Sequence, residues 1–154
     1  VADHLHPILI LPEIVEVYDM ALDKLYDIPG NHYAFFRMPT HLAATATETM
    51  VAWIAPCACN ITGVTFAPDA AITGNTTNRT NINILDGGTD GTGTTEIGNF
   101  DPITNTDVLA SDAQEITITT TAMAAGDTLK VQFEKVSSGV LIPPSAWRLT
   151  FVPT

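Results

Sequence analysis

Two cysteines, Cys57 and Cys59, stand one residue apart, and all four histidines, His4, His6, His32 and His41, fall in the first 41 residues. Thiolates and imidazoles are the ligands that zinc takes, four at a time in a structural site. The C-x-C pair would need two more, and His32 and His41 are the nearest in sequence. No second C-x-x-C and no H-x-x-x-H accompanies them. In an extended segment both thiols of C-x-C face the same way. A disulfide there is awkward, because bridges join Cα atoms about 5.5–6 Å apart with suitable Cβ vectors. The pair reads as two reduced, half-buried thiols used as small hydrophobes.

The Gly-rich run Asp86–Gly93 (DGGTDGTG), with Glu96 beyond it, could offer oxygen ligands to calcium through Asp86, Asp90 and Glu96. The spacing fails the EF-hand pattern. Counting from Asp86, loop position 3 is Gly88 and position 12 is Ile97. No Lys follows the glycines, so it is not a phosphate loop. A plain surface turn is expected. Of the serines, Ser111, Ser137, Ser138 and Ser145, none lies in G-x-S-x-G. There is no H-E-x-x-H, and the acids fall on outward positions or turns, so no glycosidase pair can be nominated. The sequence points to no catalytic, cofactor or metal residue. It does not read as an enzyme.

The elements that would position any site are mostly strands. Thr80–Leu85, Thr128–Val136 and Trp147–Val152 alternate apolar and polar residues, with Leu129, Val131 and Phe133 and then Trp147, Leu149 and Phe151 expected inside. Glu115–Thr121 alternates too, with Ile116 and Ile118 inward, and Thr94–Phe100 is a weaker strand. Asn60–Phe66 is expected to bulge at Gly63. Glu48–Ala55 is apolar at both parities, which predicts a strand covered on both faces. Pro68–Asn78, Ala125–Asp127 and Ser137–Ser145 carry the Gly, Pro and Asn chemistry of turns. The fold class is mainly β, an antiparallel jelly-roll-like sandwich over residues 44–154.

Residues 1–43 differ in character and are expected to form an N-terminal arm. Six of the 17 acids lie in the first 30 residues against one base, Lys24. Leu5–Leu11 is apolar apart from His6 and is interrupted by Pro7. After Pro12, Ile14, Val17, Tyr18, Ala21, Leu22 and Leu25 recur at helical spacing, which predicts a short helix over 13–26. Tyr33–Met38 is then a short aromatic strand.

Composition excludes further classes. The 154 residues carry 6 Lys+Arg against 17 Asp+Glu, a net charge of −11, which is the wrong sign for gripping nucleic acid or an anionic membrane. No run approaches the ~20 apolar residues of a membrane span. The chain opens on Val1, as expected where an initiator Met or a leader has been removed. Only 15% of residues are charged and 23 are Thr, a low-charge surface suited to an assembly.

The run Ala55-Pro56-Cys57-Ala58-Cys59-Asn60-Ile61-Thr62-Gly63-Val64-Thr65-Phe66 is followed by Pro68–Asn78, Ile82-Asn83-Ile84, Gly91–Thr95 and Ala124–Leu129. Together these stretches, spanning about residues 50–136, resemble the β-sandwich structural proteins of tailed bacteriophages, in particular head decoration (cement) proteins. The resemblance implies a non-enzymatic virion protein on the outer capsid surface, made in the host cytoplasm. Such a protein commonly acts as a trimer that clamps contacts between major capsid protein subunits. It defines no site residues. Read from the residues themselves, Leu5, Ile8 and Ile10 of the arm, with Tyr33, Phe35 and Phe36, are the expected partner contacts, since they are more apolar than an exposed tail should be. The alternative is a tail- or fibre-associated receptor- or carbohydrate-binding sandwich, which would show several aromatics on one open face.

Overall fold

A computed structural model of the protein describes residues 29–103, 107–119 and 121–154. The expected arm segment Leu5–Leu11 and the helix over 13–26 lie outside them. Among the described residues nine strands form: β1 (His32–Met38), β2 (Glu48–Ile54), β3 (Cys59–Pro68), β4 (Arg79–Gly88), β5 (Thr95–Phe100), β6 (Gln114–Ile116), β7 (Thr121–Met123), β8 (Thr128–Val136) and β9 (Ser145–Pro153). Sheet 1 runs β1-β9-β3-β6, with β7 also on β3, and sheet 2 runs β2-β8-β4-β5. Every pairing is antiparallel. β6 and β7 run along the same edge of β3, so they count as one interrupted strand. The pairs are then nested, β1 with β9, β2 with β8, β3 with β6/β7 and β4 with β5. This is one long antiparallel ribbon folded over itself, the jelly-roll arrangement of eight strands in two sheets.

The inner faces follow the alternation in the sequence. Leu129, Val131 and Phe133 of β8 and Trp147, Leu149 and Phe151 of β9 are all buried. Phe36, Trp147 and Phe66 are register neighbours across β1, β9 and β3. Their rings stack at 5.8 and 5.1 Å, and Phe100 from sheet 2 meets Phe66 edge-on at 5.2 Å. That aromatic row ties the two layers together, beyond the area it buries.

Four expectations need correcting. β2 is an edge strand, not a covered one. A bulge between Val51 and Trp53 lets Met50, Ala52 and Trp53 all reach the core while Val51 and Ile54 stay exposed. The apolar residues at both parities recorded that bulge, which shifts side chains from one face to the other. Second, Glu115–Thr121 is broken. Ile118 leaves β3 to bridge Gly98 of β5, and Thr119 N–H donates to the Ile97 carbonyl at 2.8 Å. A Cβ at Gly98 would lie 2.5 Å from Ile118 Cδ1 and 2.8 Å from the Thr117 carbonyl, so glycine there lets the two sheet edges close on one another.

Third, alternation places Asn81 and Asn83 together on the polar face of β4, but that face is covered rather than open. Asn81 and Asn83 are buried beneath longer neighbours on the same face. Fourth, the sandwich begins before residue 43. β1 pairs with β9 along its whole length, from His32↔Phe151 to Met38↔Ser145, and Met38 is part of the core. The compositional break marks a change in polarity and Pro content, and neither of these reports strand pairing.

Candidate interaction surface

Among the described residues, those nominated for chemistry do not assemble into a centre, and His4 and His6 lie outside them. Among the described residues no group of three or more His, Cys, Asp or Glu could hold a metal. In the Gly-rich hairpin the acids serve their own loop. Asp86 accepts the Gly88 N–H at 2.9 Å, and Asp90 accepts both the N–H and the hydroxyl of Thr92 at 2.9 Å. Those bonds to Thr92 hold the Asp90 carboxyl below its usual value. His41 is buried and stacks on Phe133 at 5.1 Å, with Nδ1 3.3 Å from Glu48 Oε2. Its Nε2 has no hydrogen-bond partner among the described residues. Ser145 accepts the Trp147 indole N–H at 2.7 Å, a structural use of that hydroxyl.

The C-x-C pair matches its reading in part. Neither cysteine is in a disulfide. Cys57 is half-buried, whereas Cys59 is fully buried in β3. Burial, reinforced by the neighbouring Cys57 and Asp127, pushes the Cys59 thiol up to about 11. A disulfide-exchange reagent at pH 8 is therefore expected to titrate Cys57 in the native protein and Cys59 only after unfolding. Equal rates for the two thiols would refute it. Because the folded value lies above the unfolded reference of 9.0, the stability held in this group is complete below pH 9 and is lost as the pH climbs toward 11.

What the fold does build is two outer faces of opposite character. On sheet 2 the register aligns Thr49, Gln132, Asn83 and Asn99 across all four strands. Gln132 Nε2 donates to Thr49 Oγ1 at 3.0 Å. Asn83 Nδ2 donates to Gln132 Oε1 at 3.1 Å and to Glu134 Oε2 at 3.2 Å. Asn81 Nδ2 donates to the same Glu134 oxygen at 3.3 Å, and Arg79 Nε to Asn81 Oδ1 at 2.9 Å. The network satisfies itself, and covering it would strip water from its rim for little return.

Sheet 1 presents another surface. Three register rows cross it: Tyr33·Thr150·Gly63, then Phe35·Arg148·Thr65·Glu115, then Arg37·Ala146·Ala67. Tyr33 is 53% exposed and Phe35 75%. Beside Phe35 lies a shallow depression of about 250 Å³ whose rim and floor include Thr65, Ala67, Ala113, Ala146 and Arg148. It is open because Ala67, Ala113 and Ala146 stop at Cβ. Arg148 lies over the Tyr33 ring at 5.7 Å and donates to Thr65 Oγ1 at 3.1 Å. Arg37 is paired with Asp69.

Of the expected contacts, β1 brings Tyr33 and Phe35 together on this face, while Phe36 points inward and stacks on Trp147. Leu5, Ile8 and Ile10 lie outside the described residues. Sequence reasoning missed Arg148 and the alanine floor. Arg148 was legible as an outward position of β9, but its neighbours come from strands more than 80 residues away in the chain.

No family model and no curated protein matches the chain. Among solved structures, it is similar to a chain of the cyanophage Pam1 capsid asymmetric unit, with a TM-score of 0.52 and 14% identity over 82% of this chain and 86% of that one. It is also similar to a chain of the acid-stable capsid of Helicobacter pylori bacteriophage KHP30, with a TM-score of 0.52 and 9% identity over 82% of this chain and 92% of that one. The structural neighbours are chains of phage capsids, and at these identities what is shared is the fold.

Proposed function

We propose that the protein is a non-enzymatic structural component of a tailed-phage virion, which decorates the outer capsid surface and stabilises it by binding the lattice of the major capsid protein. The observation that carries this reading is the contrast between the two outer faces. One is a self-satisfied polar net, and the other an open apolar surface with Tyr33 and Phe35 standing on it. A monomer in solution has no use for the second face, whereas a protein that works in a lattice does. The jelly-roll fold shared with two phage capsid chains supports the same setting.

Leu5, Ile8 and Ile10 of the acidic arm are the proposed anchors on the capsid, since buried apolar anchors carry most of an interface's energy. Stabilisation then follows from mass action. A protein that binds only the intact lattice lowers the free energy of that state, by an amount that grows with its concentration over Kd. A receptor- or sugar-binding module would need several open rings, but the Tyr33 ring already has the Arg148 guanidinium over it.

The test mixes the full chain with particles that lack it and follows co-sedimentation and the temperature at which the particles open. Saturable binding that raises the opening temperature is expected. Changing Leu5, Ile8 and Ile10 together to Asp should weaken binding by about thirtyfold or more. Absence of binding by the unaltered chain would overturn the reading, and unchanged binding by the triple variant would move the attachment elsewhere.

A further inference from the structure

The apolar face of sheet 1 is complementary to itself. Across its middle row stand Phe35 on β1, Arg148 on β9, Thr65 on β3 and Glu115 on β6. A projecting ring, Phe35, occupies one end, and the shallow depression that begins beside it runs across Ala146, Arg148, Thr65 and Ala67 to Ala113 near the other. Charge is arranged the same way. The chain as a whole carries −11, yet the charged residues on and around this face, Arg37, Arg148, Asp69 and Glu115, sum to zero.

We propose that this face is a contact between two copies of the chain, related by a two-fold axis that runs along the strands between β9 and β3. That axis exchanges β9 with β3 and β1 with β6. Phe35 of each copy then lies over β6 of the other, next to the depression. Arg148 of each lies over Thr65 of the other, one strand from Glu115. Within one copy Arg148 and Glu115 sit two strands apart, about 9–10 Å at the usual strand spacing. Across the pair the lateral offset falls to about one strand, and the two side chains extend toward each other across the roughly 10 Å between packed sheets. Each copy offers the other the same ring, cavity, cation and anion, which is what an isologous interface requires.

With aromatic side chains of roughly 200 Å² each, the exposed fractions of Tyr33 and Phe35 amount to about 250 Å² of ring surface per copy and about 500 Å² per pair. A stable interface buries roughly 1,200–2,000 Å² in total, so the four rings supply between a quarter and two-fifths of it. The exposed Ala146 and Arg148 and the half-buried Thr65, Ala67 and Thr150 around them add to it. The arrangement is two-fold, in contrast to the trimer that the resemblance to decoration proteins implies.

The experiment is sedimentation velocity of the purified full chain over a concentration series, with no capsid present, so that its failure is separate from failure of the capsid reading. A reversible two-copy species is expected. Phe35→Asp should weaken it about thirtyfold or more, with the melting temperature unchanged at dilutions where the unaltered chain is also a single copy, because that ring is exposed there. Arg148→Glu and Glu115→Arg should each dissociate the pair, and an equimolar mixture of the two single variants should re-form it, since both cross-contacts then join opposite charges. A chain that sediments as one copy at every concentration would overturn the proposal. So would a trimer indifferent to Phe35→Asp, or a mixture of the charge variants that stays apart.

Discussion

Replacing Phe133 by Ala is expected to cost about 3–5 kcal/mol, and at the usual scaling for a chain of this size to lower the melting temperature by roughly 6–20 °C. Phe133 is fully buried on β8, whose neighbours in sheet 2 are β2 and β4. Its register mates are Glu48 and Ile82, and its ring stacks on that of His41 at 5.1 Å. The cavity left by the ring would open beside a buried imidazole whose Nε2 already lacks a partner among the described residues, so the site cannot collapse on apolar contacts alone. Gln132→Ala, one residue away on the outer face, removes hydrogen bonds to Thr49 and Asn83 and is expected to cost only about 1 kcal/mol. Chemical denaturation of the two variants side by side checks both figures. A mild Phe133→Ala with a severe Gln132→Ala would mean that β8 faces the other way.

β8 and β9 were legible in the sequence because each buries one face and leaves the other wet, and the period-2 pattern records that difference directly. The pattern misled where geometry broke the period. In β2 the bulge before Trp53 moves an apolar residue to the opposite parity without any Gly or Pro to announce it. In the run from Glu115 to Thr121 the alternation is unbroken, yet the backbone leaves β3 because Gly98, a residue of another strand, gives Ile118 room to approach. β4 shows the converse. Its Asn81 and Asn83 read correctly as lying together on the polar face, but their burial depends on Glu134 and Gln132 from β8, more than 45 residues later.

The candidate surface was half legible for the same reason. The aromatic cluster at 33–36 stood out by composition, and strand parity then divides it, with Tyr33 and Phe35 outside and Phe36 within. What makes the outer pair a surface is non-local. Arg148, Ala146, Thr65 and Ala67 join Phe35 only because β9 inserts between β1 and β3, a consequence of the nested pairing of the whole chain. Register between distant strands leaves no trace in the spacing of either one.

The pairing of β1 with β9 also changes where the arm can be cut. A chain beginning at Pro29 keeps every described strand and should melt within a few degrees of the full protein. It loses Leu5, Ile8 and Ile10, so under the proposed function its co-sedimentation with capsids should disappear. A chain beginning at Ala44 removes the edge strand of sheet 1 as well. Met38 is then missing from the core, and Trp147 loses the Phe36 ring stacked on it at 5.8 Å. His41, bridged to Ile142 and stacked on Phe133, is lost too. With about 1.5–3 kcal/mol for each of these three side chains whose burial is lost, this truncation should cost roughly 4.5–9 kcal/mol, much of a domain's usual stability. The expected outcome is a folded, non-binding chain from residue 29 and an unfolded or strongly destabilised one from residue 44. Melting curves and particle co-sedimentation on the same samples separate the two effects. A stable chain from residue 44 would show that β1 is an accessory to the sandwich, and capsid binding by the chain from residue 29 would transfer attachment from the arm to the sandwich itself.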